Sequence, residues 1–486
     1  MGRPARPRDT GTKAGAGGAA SAPGGAAVQG NPGLARAEGH FRAAAKHQAA
    51  GRLDEALTDY AKALALNPAD ARAYNNMGVA LRALGRPEAA LAAYRRSAAL
   101  RQDDPGLFSN MGNILRHLGQ QAEGAECLRR SVAMRPDSAD GWRNLGLVLR
   151  DLGALEEAIA SFDRADALRP NHTDTIWDRA YAYLLKGDLA AGFAGYEVRW
   201  GLAEAKPRAF EQPQWDGGDL AGRTLLVYAE QGFGDTIQFA RYLPQLAGKG
   251  GRVVVECQPE LMELMTGIAG VERFVAKGEA LPDFDLQCPL VSLPHILGTV
   301  LETIPAEIPY LSVAPGDGQR LETAPGIAAR IGLAWGGSPT HKNDRNRSIP
   351  FEHYLRLAER PDAMLYSLQK GGRTEALQSS ACAALIRNLA PRIESFADTA
   401  RFIEQLDLVI TCDTSVAHLA GALGKPVWVL LPFAPDWRWL RDRPDSPWYP
   451  TMRLFRQAEP GGWDGVFDAV RAALDGFVAG LPQASS

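Results

Sequence analysis

The sequence has little cysteine, no long apolar run and no surplus of either charge. Five cysteines among 486 residues (Cys127, Cys257, Cys288, Cys382 and Cys412) show no CxxC spacing. Neither a zinc cage nor a disulfide framework is implied, and buried thiols in a reducing, cytoplasmic setting are expected. No stretch approaches the roughly 18–20 apolar residues that cross a bilayer, so no transmembrane segment is expected. Lys and Arg number 53 against 56 Asp and Glu, a net charge of −3. That balance argues against a broad electrostatic nucleic-acid binder. Large apolar side chains are almost missing from residues 1–33, which hold nine Gly, eight Ala and four Pro. Such a segment cannot bury enough surface to offset its chain entropy and reads as a disordered tail. Arg3, Arg6, Arg8 and Lys13 stand there without the apolar core of about 7–15 residues that a secretory signal requires.

From about residue 37 a repeat takes over. Glycines stand at Gly51, Gly85, Gly119, Gly153 and Gly187, four consecutive intervals of 34 residues. Five positions after each comes Ala56, Ala90, Gly124, Ala158 or Gly192, and nine positions after each comes Tyr60, Tyr94, Leu128, Phe162 or Tyr196. Pro68, Pro136 and Pro170 share a later column with Gln102, and Gly78, Gly112 and Gly146 recur upstream. Small residues at such spacing let paired helices approach, and the large ones fill the gaps between them. A 34-residue helix–turn–helix of this composition resembles the tetratricopeptide repeat, with four full units and a truncated fifth over 34–200. Asn76, Asn110, Asn144 and Asp178 occupy one column of the first helix. An Asn there can offer donor and acceptor to an extended peptide, an arrangement that resembles the asparagine ladder of the O-GlcNAc transferase superhelix. The same column also suits a solvated face or bonds to the neighbouring repeat.

The periodicity stops after Trp200. Residues 201–222, with Pro207, Pro213, Gly217, Gly218 and Gly222, read as a linker. Beyond them short apolar runs (224–230, 252–257, 285–288, 330–335, 364–368, 407–412 and 427–432) alternate with amphipathic segments. That alternation predicts parallel, doubly wound sheets in two Rossmann-like lobes, 223–315 and 325–480. The fold class expected is therefore an α-solenoid followed by an α/β pair. Most of the ten Trp fall in this half, where core packing accounts for them.

Ligands of open parallel sheets gather beyond the carboxyl ends of the strands, and three strand ends carry candidates. In "AEQGFGDTIQFARY" a strand ends at Glu230, Gly232 and Gly234 make a tight turn, and Asp235 opens a helix. Free N–H groups at a helix start favour an anion, though Asp is also an ordinary helix cap. In "WGGSPTHKNDRNRSIP" a Gly–Gly turn precedes His341, Lys342, Arg345 and Arg347. These are cations of the kind a diphosphate needs, or merely solvated loop charges. In "DLVITCDTSVAHLAGALGKP" the strand ends at Cys412, and Asp413, Thr414 and Ser415 start a helix bearing His418. That composition suits sugar or phosphate oxygens and equally a capping motif.

Together, "GFGD", "RSIP" and "DTSVAHLAGALGKP" resemble the heptosyltransferase-like glycosyltransferases of family 9. Their signatures are a GD turn, a basic residue ahead of Pro, and a DTG/S-xx-H turn before A-x-G-x-P. The resemblance covers about 223–480 and implies a two-lobed GT-B fold and an inverting, metal-independent transfer from a nucleotide diphosphate sugar. No cofactor beyond that substrate is implied. Asp235 matches the family's catalytic base. Arg347 matches its diphosphate-holding basic residue, there often Lys. Asp413, Thr414, Ser415 and His418 match the donor-binding turn, with Ser415 in place of the commoner Gly. Gly234, Lys342, Arg345, Gln369 and Lys370 are further donor-side candidates. The expected activity is transfer to an acceptor hydroxyl of a protein or a saccharide, with the repeats binding acceptor or partner protein. The alternative is an interaction scaffold whose transferase-like domain is inactive. Retention of Asp235, the basic cluster and Asp413 together favours the enzyme.

Overall fold

The structure, a computed structural model, describes residues 32–316, 320–341 and 343–482. The expected tail lies outside them except for Pro32 and Gly33, which open the first helix. Ten helices follow in pairs: α1 (Pro32–Ala49), α2 (Leu53–Leu66), α3 (Ala71–Ala83), α4 (Pro87–Leu100), α5 (Pro105–His117), α6 (Gln121–Met134), α7 (Ala139–Leu152), α8 (Leu155–Leu168), α9 (Thr173–Lys186) and α10 (Leu189–Tyr196). The first four form one compact unit, and residues from Arg101 onward form a second.

The 34-residue glycines sit between the two helices of each pair. All five have positive φ, from +72° at Gly85 to +95° at Gly187, a conformation that costs glycine least. The small column lies where paired helices touch. A Cβ on Gly78 would fall 2.5 Å from Tyr94, on Gly112 2.4 Å from Leu128, and on Gly146 2.6 Å from Phe162. Each large side chain thus fills the place of the missing one. Ser97 and Ser131, also 34 residues apart, each donate to a carbonyl of the partner helix's first turn at 2.7 Å. The last helix, α10, has 8 residues where the other second helices have 14.

Two parallel sheets follow. The first holds β1 (Thr224–Tyr228), β2 (Arg252–Cys257), β3 (Arg273–Ala276) and β4 (Leu286–Pro289) in the order β3-β2-β1-β4. The second holds β5 (Ala329–Ala334), β6 (Ala363–Ser367), β7 (Ile386–Asn388), β8 (Leu408–Cys412), β9 (Val427–Leu431) and β10 (Met452–Arg456) in the order β10-β9-β8-β5-β6-β7. The winding reverses at β1/β4 and at β5/β8, the two places where ligands of such sheets collect. The expected α + α/β class is what the structure shows. β3, β7 and β10 fall outside the apolar runs read from the sequence. Each mixes exposed or half-buried positions with buried ones, so none forms an unbroken hydrophobic string.

Residues 201–222 are irregular but do not behave as a free linker. Trp215 N–H donates to Gln287 O and Gln287 N–H to Pro213 O, which adds a short edge beside β4. Trp215 and Leu220 are buried in the core that Leu185, Leu189, Phe193 and Tyr196 of the last repeat share with Phe239, Trp437 and Trp448. Burying an indole stabilises this segment, and the surrounding Pro and Gly mask that in the sequence. No helix among the described residues is long and apolar enough to cross a membrane.

The glycine contacts predict opposite signs for the same substitution. Gly146→Ala drives a methyl into the fully buried Phe162 ring and should destabilise by about 1–3 kcal/mol. Gly39→Ala in α1 meets nothing within 4 Å and should stabilise by up to ~1 kcal/mol. Thermal melts of the two variants check both; a stabilised Gly146→Ala would refute the packing role.

Candidate functional site

The turn after β1 leads through Gly232 into the seven-residue helix α11 (Phe233–Phe239). Asp235 is its third residue. Its Oδ2 accepts from the Gly232 N–H at 3.0 Å, so the capping reading of this Asp holds. Its Oδ1 is engaged as well, by the guanidinium of Arg438. Gly234, the second residue of α11, is closely packed. A Cβ there would lie 3.0 Å from His418 and 3.6 Å from Ser415, so this glycine lets α11 and the helix Ser415–Ala422 pack together. The first sheet's strand end is thereby held against the second's.

Arg438 is nearly buried, at 8% exposure, on the short turn Trp437–Trp439. Nη2 faces Asp235, Nη1 donates to Asp436 Oδ1 at 2.8 Å, and Nε donates to Gln238 Oε1 at 2.7 Å. Burial works against its charge, but Asp436 and Asp235 outweigh it and raise its pKa. Asp436 also acts on Asp413. Burial first, and then that neighbouring carboxylate, push the Asp413 carboxyl up to about 6 against the pull of Arg347 and Arg438.

Arg347 closes the short helix Asp344–Arg347 on the β5 loop. Its Nη1 donates to the Asp413 carbonyl at 3.2 Å, across the β5/β8 reversal. It lies so close over Gly337 that a Cβ there would be 2.4 Å from Nη2. Its buried Nε has no hydrogen-bond partner among the described residues. His341 accepts from the Asn343 N–H through Nδ1 at 3.2 Å; partial burial and then Arg347 hold its imidazole below the ordinary range. Thr414 is the N-cap residue of the helix Ser415–Ala422 and is buried, its hydroxyl 3.3 Å from that of Thr411. His418 is kept neutral, well below its usual range, by burial and then by Arg438. Its Nδ1 lies 2.9 Å from the Tyr449 hydroxyl and its ring stacks on Trp439 at 5.4 Å.

Three second-rank candidates stand apart from this group. Gln369 is buried and committed to bracing the β5 loop. It accepts from the N–H groups of Trp335 and Gly336 at 3.0 and 2.9 Å and donates to Gly336 O and Lys370 O. Lys370, also expected on the donor side, donates to the carbonyls of Ala390 and Ile393. Arg345 is exposed and borders a cavity of about 470 Å³ with Trp335, Phe351 and Arg373. Lys342 lies outside the described residues.

In the repeats, the Asn column bonds within the protein. Asn76 lies beside Tyr60, Asn144 reaches Ser109 at 3.5 Å, and Asn110 is engaged too. Asp178 is buried between Arg143 Nε, at 2.7 Å, and Arg150 Nη1, at 3.7 Å. Residues that sequence reasoning passed over include Asp436 and Arg438, although "PDWRWL" held an Asp and an Arg beside two Trp. Another is Glu230, whose Oε1 accepts from buried Arg199 at 3.0 Å while its Oε2 has no partner among the described residues. Burial pushes its carboxyl up to about 7, against the pull of Arg199. No group of three or more His, Cys, Asp or Glu side chains among the described residues is placed to hold a metal ion.

Comparison with known proteins agrees with the two halves. Tetratricopeptide-repeat family models match residues 49–85, 71–103 and 110–173. The model of glycosyltransferase family 9 (heptosyltransferase) matches residues 364–431, a stretch that holds Asp413 to His418. The chain carries tetratricopeptide repeats in its N-terminal region and a family 9 domain near its C-terminus. Protein FlbA of Caulobacter vibrioides is 26% identical over 330 residues, 62% of this chain and 55% of FlbA. The chain thus spans about half the length of that curated relative. Among solved structures, YrrB, described as a TPR protein with an unusual peptide-binding site, is 22% identical over 33% of this chain and 84% of its own, with a TM-score of 0.31. MamA from Desulfovibrio magneticus is 21% identical over 34% of this chain and 90% of its own, with a TM-score of 0.32. PilF of Pseudomonas aeruginosa is 18% identical over 37% and 80%, with a TM-score of 0.32.

Glu230 gives a pH signature. An acid raised in the fold stabilises it below the ordinary carboxylate range and loses that contribution as pH rises through about 7. Asp413 titrates in the same direction but is common to both proteins compared. Glu230→Gln should therefore gain on the unchanged protein between pH 5 and 8, by about 1–3 kcal/mol. Urea midpoints at the two pH values measure this, and an unchanging difference would contradict it.

Proposed function

We propose that the chain is an inverting glycosyltransferase that moves a sugar from a nucleotide diphosphate sugar to an acceptor hydroxyl, while its repeats hold the acceptor or a partner protein. The observation that carries this reading is the meeting of the two strand ends. Asp235 after β1 pairs with Arg438, whose charge also acts on Asp413 after β8, and Arg347 spans from the β5 loop to the Asp413 carbonyl. A carboxylate and two guanidiniums are the groups such a transfer uses. In an inverting displacement the acceptor oxygen attacks the anomeric carbon as its bond to the diphosphate breaks. Asp235 takes the acceptor's proton, with Arg438 fixing the carboxylate's orientation. The leaving diphosphate gathers negative charge, which the Arg347 guanidinium, held over Gly337 and the Asp413 carbonyl, neutralises. The Thr414 and Ser415 hydroxyls and the neutral imidazole of His418 border the donor at the start of their helix.

One observation favours the scaffold reading. Both oxygens of Asp235 already have protein partners, as in an ion pair that serves only to join two elements. Activity separates the two readings. Thermal shifts against ADP-, GDP- and UDP-sugars should single out one donor, whose turnover falls at least about 100-fold in Asp235→Asn. Arg347→Ala should weaken binding of the corresponding nucleoside diphosphate by about tenfold or more in calorimetric titration. Full turnover in Asp235→Asn would remove that residue from the base role. No shift with any donor would favour the scaffold.

A further inference from the structure

The repeats are expected to recruit, and the two sheets to catalyse. The structure draws that boundary elsewhere. The turn that carries Arg438 is held on one side by α11 and on the other by the last repeats. Tyr181, on the inner helix α9, donates through its hydroxyl to Asp436 Oδ2 at 3.1 Å. The other oxygen of Asp436 accepts from the backbone N–H and Nη1 of Arg438 at 3.1 and 2.8 Å. Arg438 then reaches Asp235. An unbroken line of hydrogen bonds therefore runs from a repeat helix to the carboxylate assigned as base.

The surroundings of Tyr181 give the line a fixed origin. Its ring lies under the Arg150 guanidinium at 4.9 Å, and Arg150 is itself paired with Asp151 and near Asp178. Trp437, the residue between Asp436 and Arg438, packs edge-on against Phe193 at 5.6 Å and Tyr196 at 6.4 Å of α10. Arg441, just past the turn, donates to the carbonyls of Asp151 and Leu152 at 3.2 Å each, where a cation suits the C-terminus of α7. The turn has no comparable freedom to settle elsewhere.

On this basis, and resting on the reading of Asp235 as base, we infer that Tyr181 is a positioning residue of the transfer site, acting through Asp436 and Arg438. The physical reason is competition for one guanidinium. Asp235 and Asp436 both draw on Arg438, and Asp436 also faces the carboxylate of Asp413. The Tyr181 hydroxyl satisfies one oxygen of Asp436. Burial and then Asp436 raise that phenol well above its ordinary range, so it remains a donor. Without it, Asp436 turns to Arg438 for the missing hydrogen bond, and Arg438 shifts away from Asp235.

Tyr181→Phe removes one oxygen and leaves the ring on Arg150 intact. Its crystal structure, beside that of the unchanged protein, should show Arg438 rotated towards Asp436 and its contact with Asp235 lengthened or lost. With the donor singled out by the thermal-shift panel, kcat should fall about tenfold while the donor KM stays within twofold. Tyr183→Phe, on the same helix but outside this line, should leave both unchanged. An unaltered Arg438–Asp235 pair overturns the inference whether or not a donor has been found. So does full kcat, or a loss of melting temperature with kcat intact, which would mark the hydroxyl as merely structural. The failure of the base assignment looks different: Asp235→Asn then keeps full turnover, while Tyr181→Phe still displaces Arg438.

Discussion

A guanidinium taken out of water must be met on every side, or the fold carries an uncompensated charge worth several kcal/mol. Arg438 meets that requirement with three side chains on two elements: Asp235 and Gln238 of the first sheet's leading helix, far upstream in sequence, and Asp436 of its own turn. Because its donors point in fixed directions, satisfying them fixes where the two sheets' strand ends lie against each other. Gly234 and His418 then come into contact, and the loop bearing Arg347 rests on the Asp413 carbonyl. Most of the chemistry assigned to this protein depends on that one side chain being satisfied.

Around this polar centre is an aromatic shell that ignores domain boundaries. Phe193 and Tyr196 from the repeats, Phe239 from the first sheet's side, and Trp437 and Trp448 from the second's share one core. Rings placed edge to face at 5–7 Å add to burial and resist sliding. The repeats from Arg101 onward and the sheets therefore belong to one compact body, as their contacts indicate. A truncation ahead of Thr224 would expose that shell and remove Tyr181 with it.

What could be read in the sequence follows from how local each cause is. The repeat was legible because a left-handed turn every 34 residues calls for glycine, and because Gly146 and Phe162 complement each other within one unit. Buried parallel strands such as β8 and β9 announce themselves as unbroken apolar runs. That Asp235, Arg347 and Asp413 follow strand ends was legible because each stands just beyond an apolar run. Arg438 and Tyr181 were not, since their roles are set by partners 203 and 255 residues away, which leave no periodic trace. Trp215 was hidden by its Pro- and Gly-rich surroundings. Gln369 and Lys370 bond to the protein's own loops, and a sequence does not separate that use of a polar strand-end side chain from ligand binding.

The shortened α10 gives the repeat array a direction. A second helix of full length would extend beyond Tyr196, into the space that the chain uses to enter the short helical turn Glu197–Gly201 and place Arg199 on Glu230. The rear of the array is thus held against the sheets at several points, by Tyr181, by Arg199 and by the buried Trp215. The 34-residue turns at Gly153 and Gly187 meet the sheets' side as well, at Arg441 and Leu301.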